Sequence, residues 1–455
     1  MQSLFEAIEI NNPSVIALQE GGKTLTYGEL LGEINDRAKL LENVDSLGLA
    51  LDNGIEWVLW DLAALYANVV CTPLPHFFSE EQINHTLLNA GISHILDPQG
   101  LRETGLSSFD AIPEKTAKVT FTSGTTGTPK GVCLPARAME NVSASILTVL
   151  ENRLTNGTHC CVLPLSVLLE NVAGVYTALI AGCTVHIPSL YSYGQNYEHL
   201  HEILGKTHAT SIILVPEILR ILMQQTANKG GLAHLKFIAV GGAKIDADLV
   251  RMARDMRLPV YEGYGLSECA SVVALNTPKH DKVGTVGTVL PHVKARIVDG
   301  EVEIKDPGFL GYIGEEAPSI LSTGDIGFID SDGYLSITGR KKNVLITSYG
   351  RNVSPEWVEA ALLGASDIKQ AFVYGDAQPH LSALIVTDIS VTELQMRIDE
   401  INAKLPDYAR IKDFKIVPAF TPQNGTLTPN GRLRREKILT LYHKEKSNEL
   451  LQSTC

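Results

Sequence analysis

The feature that most restricts the fold is a series of short apolar runs, rich in Val and Ile, separated by longer stretches of helical periodicity. The runs are Val69-Val70-Cys71, Val119-Thr120-Phe121, Cys160-Cys161-Val162-Leu163, Ile212-Ile213-Leu214-Val215 and Phe237-Ile238-Ala239-Val240. Each is too short for a helix, and unbroken apolarity is what a strand needs when both of its faces are covered. Such strands alternating with helices predict an α/β chain built on a mostly parallel sheet. From about Val293 the texture changes: KARIVDGEVEIK alternates polar and apolar residues, and GDIGFIDSDGYLSITGR is split by Asp-Gly turns. A small antiparallel β subdomain is therefore expected over about 293–341.

Beyond Lys342 a compact α+β pattern follows. Ser354-Pro355-Glu356 opens a helix, with Ser354 as its cap and Pro355 where a missing N–H costs nothing, and strands are expected near 370–374 and 382–386. Residues 433–451 read as a charged amphipathic helix, solvated by default. At roughly 150 residues per domain, 455 residues suit a large layered body with an appendage. The expected division is a core over 1–341, a hinge at Lys342 and a C-terminal domain over 343–455.

Charge and cysteine usage exclude several classes. With 38 basic and 51 acidic residues the net charge is -13, which a nucleic-acid backbone would repel, so no nucleic-acid partner is expected. No window holds the ~18 apolar residues of a membrane span, and MQSLFEAIEINNP lacks the basic stretch and apolar core of a secretory leader. Seven scattered cysteines without metal spacing read as reduced, buried thiols of a cytoplasmic protein.

The most informative segment is Thr122-Ser123-Gly124-Thr125-Thr126-Gly127-Thr128-Pro129-Lys130-Gly131-Val132, which follows an expected strand. Its glycines let backbone N–H groups turn toward an anion, its hydroxyls add donors, and Lys130 supplies a point charge. Such a loop suits a polyphosphate, the plain alternative being an ordinary Ser/Thr/Gly-rich surface loop, and it is of a kind other than Walker A because Lys130 lies between Pro129 and Gly131.

The loop resembles the signature of the adenylate-forming superfamily, which contains acyl-CoA synthetases, luciferases and the adenylation domains of peptide synthetases. The resemblance extends along the chain. Leu25-Thr26-Tyr27-Gly28-Glu29-Leu30 is similar to the family's opening motif, and Glu262-Gly263-Tyr264-Gly265-Leu266-Ser267-Glu268 to its acidic motif. Ser322-Thr323-Gly324-Asp325 is similar to the ribose motif, Gly339-Arg340-Lys341-Lys342-Asn343 to the interdomain hinge, and 427–435 to the C-terminal catalytic loop.

The resemblance implies a large AMP-binding core and a mobile C-terminal domain that rotates about Lys342. It also implies two half-reactions using ATP and Mg²⁺, then coenzyme A or the phosphopantetheine of an acyl carrier protein. Thr122, Ser123, Gly124, Thr125, Thr126, Gly127 and Lys130 would meet the phosphates. Glu268 would hold magnesium, with Glu262, Tyr264, Gly265 and Ser267 around the nucleotide. Gly241, Gly242 and Ala243 would line the adenine and acyl carbonyl, Asp325 would accept from the ribose hydroxyls, and Arg340 would bind ribose or phosphate. The plain alternatives are a surface Glu268, a turn Asp325, a surface ion pair at Arg340 and a strand-end turn at Gly241-Gly242. A carboxylate attacking an α-phosphate sets anion against anion, so the demand on such residues is alignment and charge neutralisation.

One position departs from the family pattern: Asn430-Gly431 is followed by Arg432 where the family carries Lys. Either Arg432 serves adenylation, or Lys437 or another cation substitutes, or the first half-reaction is weak. The substrate segment from Leu163 to Gly174 has neither the Asp of amino-acid-activating relatives nor a His near Val167. That suggests an apolar acid, with Glu170 either pairing an amine or serving as a polar helix residue. Thr347-Ser348-Tyr349-Gly350-Arg351-Asn352-Val353-Ser354-Pro355 is similar to the long-chain acyl-CoA synthetase version of the loop facing the thiol. The expectation is a ligase passing a fatty or similar carboxylic acid to coenzyme A. Loading of a carrier protein is the rival, and a non-catalytic nucleotide-binding relative is the third reading, which Arg432 alone favours.

Overall fold

In the computed structural model the chain is described over residues 4–106, 111–122, 130–151, 153–194, 196–428 and 431–442. All five apolar runs contribute strands, and these divide between two sheets. Val70–Pro73 and Lys118–Thr122 lie in an eight-stranded sheet, whereas Thr158–Cys160, Ser211–Leu214 and Phe237–Val240 lie in a nine-stranded sheet. The central pairings of both sheets are parallel, as the unbroken apolar runs require, and antiparallel strands finish the edges. The helix Ile55–Tyr66 is buried on nearly every side, and its one inward acid, Asp61, meets Lys118 at 2.8 Å.

The opening motif has a structural explanation. Thr26 and Glu29 close a capping box at the start of helix Tyr27–Lys39, with Glu29 Oε2 accepting from the Thr26 N–H at 2.9 Å and from its hydroxyl at 2.7 Å. The Tyr27 phenol donates to the Cys183 carbonyl at 2.7 Å, tying that helix to the nine-stranded sheet's side of the core.

The β subdomain forms as a four-stranded sheet of Lys294–Val298, Glu301–Lys305, Ile320–Ile329 and Leu335–Arg340. One piece of that stretch leaves it. Gly311–Tyr312 pairs with Lys130–Leu134 and, with Glu315–Glu316, extends the edge of the eight-stranded sheet. The sequence reading placed these residues in the subdomain because two-residue strands carry no periodicity of their own.

By its contacts the chain divides into two compact units. The first holds most of the chain up to Ile337; the second takes Gly324–Ile326 and the described residues from Thr338 onward. Within the second unit a three-stranded sheet of Ile368–Tyr374, Leu381–Thr387 and Ile411–Ile416 packs with helices Pro355–Leu363 and Val391–Lys404 around Val358, Leu362, Val373 and Ile398. Pro355 does begin its helix, but the Ser354 hydroxyl turns to Glu356 Oε2 at 2.9 Å instead of capping the backbone. The final helix, described to residue 442, buries Ile438 against Phe372, Leu384 and Phe420, so it is docked instead of merely solvated. Among the described residues no helix is long and apolar enough to cross a membrane. The six described cysteines are free and buried.

Candidate active site

Strand Lys118–Thr122 runs antiparallel to Lys130–Leu134, with Thr122 opposite Lys130, so the expected phosphate loop is the connection of a β-hairpin. Ser123, Gly124, Thr125, Thr126 and Gly127 lie outside the described residues, as does the side chain of Thr122. Lys130 stands at the loop's exit. Its Nζ lies 4.9 Å from the centre of the Tyr312 ring and 3.0 Å from Glu315 Oε1. The Tyr312 hydroxyl donates to Glu268 Oε1 at 2.7 Å. Two residues 138 positions apart, Lys130 and Glu268, are thus joined by one aromatic side chain from the strand that the sequence reading misplaced. Burial, and then the bond to Glu268, push the Tyr312 phenol well up, so at neutral pH it is a donor.

Glu268 sits on a sharp reversal between strands Val260–Leu266 and Ser271–Leu275. Ser267 begins the 3₁₀ turn and its carbonyl accepts from the Ala270 N–H at 3.0 Å. Ala270 has φ 56° and Ser271 φ 128°, left-handed values that non-glycine residues adopt at a cost of about 1–3 kcal/mol each and that cluster at functional sites. Gly265 is obligatory here, because a Cβ would fall 1.6 Å from the Ser271 carbonyl oxygen. Tyr264 is part-buried against Val273 and Ile304. Glu262 points into the body of the first unit: its Oε2 accepts from the Gly284 N–H at 3.3 Å, and burial pushes its carboxyl up to about 8. Gly241 follows its strand as expected and donates its N–H to the Leu214 carbonyl; a Cβ there would lie 3.4 Å from the Gly263 oxygen and 3.9 Å from Leu169 Cδ2. Gly242 and Ala243 are exposed beside it.

The second unit carries its own set. Asp325 is buried, and its Oδ1 lies 2.7 Å from Arg340 Nε. Gly324, with φ 72°, supplies the left-handed residue that lets the strand turn Asp325 toward that partner. Arg432 lies on a tight turn in which the Thr428 N–H donates to the Arg432 carbonyl at 2.7 Å and the Arg432 N–H to Thr428 Oγ1 at 2.9 Å. Lys342 is held below the usual lysine range by burial, and the nearby charges of Arg340 and Arg432 lower it further. Glu436 and Glu356 oppose that lowering, and Arg340 is itself paired with Asp325, so the three cations lie near one another with acidic side chains offsetting part of their charge. The sequence reading did not single out the frame beneath them. Glu356 accepts from Asn343 Nδ2 at 2.5 Å, while Arg435 pairs with Glu359 at 2.5 Å, and the Val373 N–H donates to Glu359 at 2.8 Å. The only signal for that frame is charge at three-residue spacing on a helix start, which elsewhere denotes a solvated face.

Glu170 is a polar helix residue, as one of its two readings has it, and its carboxylate is engaged within the protein. It is fully buried; Oε1 lies 2.8 Å from His159 Nε2, and Oε2 accepts from the N–H groups of Val162 and Leu163 at 3.1 and 2.8 Å. Ligand atoms of His159, Cys161 and Glu170 lie within 4.8 Å of one another, but those hydrogen bonds already engage the carboxylate, and burial pushes the Cys161 thiol well above its ordinary range. That set braces the π-helical turn Asn171–Tyr176, whose other side holds the Lys118–Asp61 pair through Asn171 and Tyr176.

The chain is similar to known proteins in sequence and in fold. The profile of the AMP-binding enzyme matches residues 5–112 and 107–315, and that of the AMP-binding enzyme C-terminal domain matches 342–448. A long-chain-fatty-acid–CoA ligase of Mycobacterium bovis is 25% identical over 86% of this chain and 86% of its own. A 2-succinylbenzoate–CoA ligase of Enterococcus faecalis is 29% identical over 72% of this chain and 70% of its own. Among solved structures, an anthranilate CoA ligase with bound anthranoyl-AMP superposes with a TM-score of 0.84 at 16% identity, covering 96% of this chain and 97% of that one. The o-succinylbenzoate CoA synthetase of Bacillus subtilis with its acyl-adenylate superposes at 0.80 and 22% identity, covering 96% and 98%.

Proposed function

The chain belongs to the AMP-binding, adenylate-forming enzyme family, and from that premise we propose that it is an acid–thiol ligase making an acyl- or aryl-CoA through an acyl-adenylate. The observation that carries this reading is the convergence of Lys130 and Glu268 on Tyr312. A phosphate-binding cation and a hard-cation ligand are brought together from distant parts of the sequence, at the exit of a loop suited to polyphosphate. The donor chemistry fits magnesium, since a phosphate-bound Mg²⁺ takes oxygen ligands and needs only one or two protein carboxylates.

In the first half-reaction the substrate carboxylate oxygen bonds to the α-phosphorus of ATP and pyrophosphate leaves. Lys130 offsets charge on the phosphates, Glu268 would hold the divalent cation that accompanies them, and that cation supplies further charge neutralisation when bound. Asp325 would accept from the ribose hydroxyls, and Arg340 would bind ribose or phosphate. Arg432 takes the position of the family's lysine, since a guanidinium can bridge two oxyanions. In the second half-reaction the thiol sulfur bonds to the acyl carbon and AMP leaves. Coenzyme A is the proposed acceptor and a cytoplasmic location, where both cosubstrates are plentiful, goes with it.

The proposed acid has an uncharged aliphatic or aromatic body. Leu169 faces Gly241, and Glu170, the nearest ionisable side chain of the substrate segment, is fully engaged by His159 and two backbone N–H groups. The test is to incubate the protein with ATP, Mg²⁺, coenzyme A and a panel of fatty, aryl and amino acids, and to weigh the products by mass spectrometry. Acyl-CoA from apolar acids supports the proposal; products only from amino acids, or only with a carrier protein, would overturn it.

A further inference from the structure

Tyr312 has no place in the motifs, yet it is the residue on which the two proposed phosphate-site charges meet. Its position is fixed by backbone pairing: Tyr312 stands opposite Val132, two residues along the strand from Lys130. Its ring lies under the Lys130 ammonium at 4.9 Å and its hydroxyl reaches Glu268 Oε1 at 2.7 Å. The side chain therefore does two separable things, one with its face and one with its oxygen.

We infer that Tyr312 is a positioning residue: its hydroxyl fixes the rotation of the Glu268 carboxylate so that one oxygen is held and the other is presented to a divalent cation, while its ring sets the place of Lys130. The inference rests on the reading of Glu268 as the cation ligand. A carboxylate on a short 3₁₀ turn is otherwise free to rotate about its terminal torsion, and one strong donor to a single oxygen removes that freedom. Partners that orient a metal ligand in this way typically matter by 10- to 100-fold in affinity. The Lys130–Glu315 contact is exposed at both ends, and an exposed pair of this kind holds a side chain only weakly.

The experiment separates ring from hydroxyl. Tyr312→Phe removes only the oxygen, and Tyr312→Leu removes the ring as well; Glu268→Gln is run beside them. Each protein is titrated with Mn²⁺ in the presence of a non-hydrolysable ATP analogue, following free Mn²⁺ by electron paramagnetic resonance. Binding of the analogue without metal is measured by calorimetry, well below every variant's melting temperature. Tyr312→Phe is expected to weaken Mn²⁺ about tenfold while leaving metal-free analogue binding within twofold, and Tyr312→Leu to weaken both. Mn²⁺ binding by Tyr312→Phe equal to the parent, with Glu268→Gln weakened, would overturn the role of Tyr312 alone. Unchanged Mn²⁺ binding by Glu268→Gln would overturn the assignment beneath it.

Discussion

Glu262 offers a test in which the sign of a stability change follows from where one carboxyl is buried. Its folded value is raised from 4.5 to about 8, first by burial, against the opposing pull of the Gly284 N–H. Below pH 4.5 the folded and unfolded chains both carry the proton, so ionisation costs the fold nothing. Between pH 4.5 and 8 the unfolded chain has released it and the native one has not, so the native state loses about 1.4 kcal/mol per pH unit. Over the interval from 4.5 to 8 that accumulates to about 5 kcal/mol. Glu262→Gln keeps the shape and the acceptor for Gly284 but cannot ionise. It should match the parent near pH 4.5 and exceed it by several kcal/mol at pH 8. Urea denaturation followed by the fluorescence of Trp57 and Trp60, in a Trp357→Phe background, reads the first unit alone. A difference between variant and parent that is the same at both pH values, or that reverses, would refute the reasoning.

Three further outcomes are expected. Lys118 and Asp61, 2% and 1% exposed, are a buried ion pair, so Asp61→Ala should cost about 3–5 kcal/mol by leaving a charge unpaired, while Asp61→Leu with Lys118→Met should recover only part of it in the same denaturation assay, because Asn171 and Tyr176 still lose their acceptor. Lys342→Pro fixes φ near -65° at the proposed hinge and should slow thioester formation from preformed acyl-AMP more than adenylation; equal loss in rapid-quench measurements of both steps would count against a hinge there. Arg432→Ala should lower acyl-AMP formation about a hundredfold and spare the thiol step, and Arg432→Lys should restore adenylation; no change in either variant would point to Lys437 or another cation.

What could be read from the sequence follows from which interactions are local. The strands were visible because burial on both faces writes an unbroken apolar run, as at Ile212–Val215 and Phe237–Val240, and the helix at Pro355 because a proline marks it. The assignment of those strands to two sheets was not visible, since nothing in Val119-Thr120-Phe121 says whether it pairs with Val70–Pro73 or with Thr158–Cys160. Motif residues stand out as candidates because the family resemblance places them and their types match the chemistry, yet the residue that joins two of them, Tyr312, lies on a two-residue strand with no pattern. Glu170 reads correctly as a polar helix residue, but a lone Glu in an apolar segment does not announce its burial, which depends on His159 and the Val162 and Leu163 N–H groups around it.

The most direct test of the central claim is ATP–pyrophosphate exchange, which reports the first half-reaction without the thiol. Exchange should require both an apolar acid and Mg²⁺, and Lys130→Ala and Glu268→Ala should each reduce it about a hundredfold, the effect of losing about 3 kcal/mol of transition-state charge stabilisation, with melting temperatures unchanged. Exchange in either variant equal to that of the parent, or no acid-dependent exchange by the parent while it still binds ATP, would contradict the account.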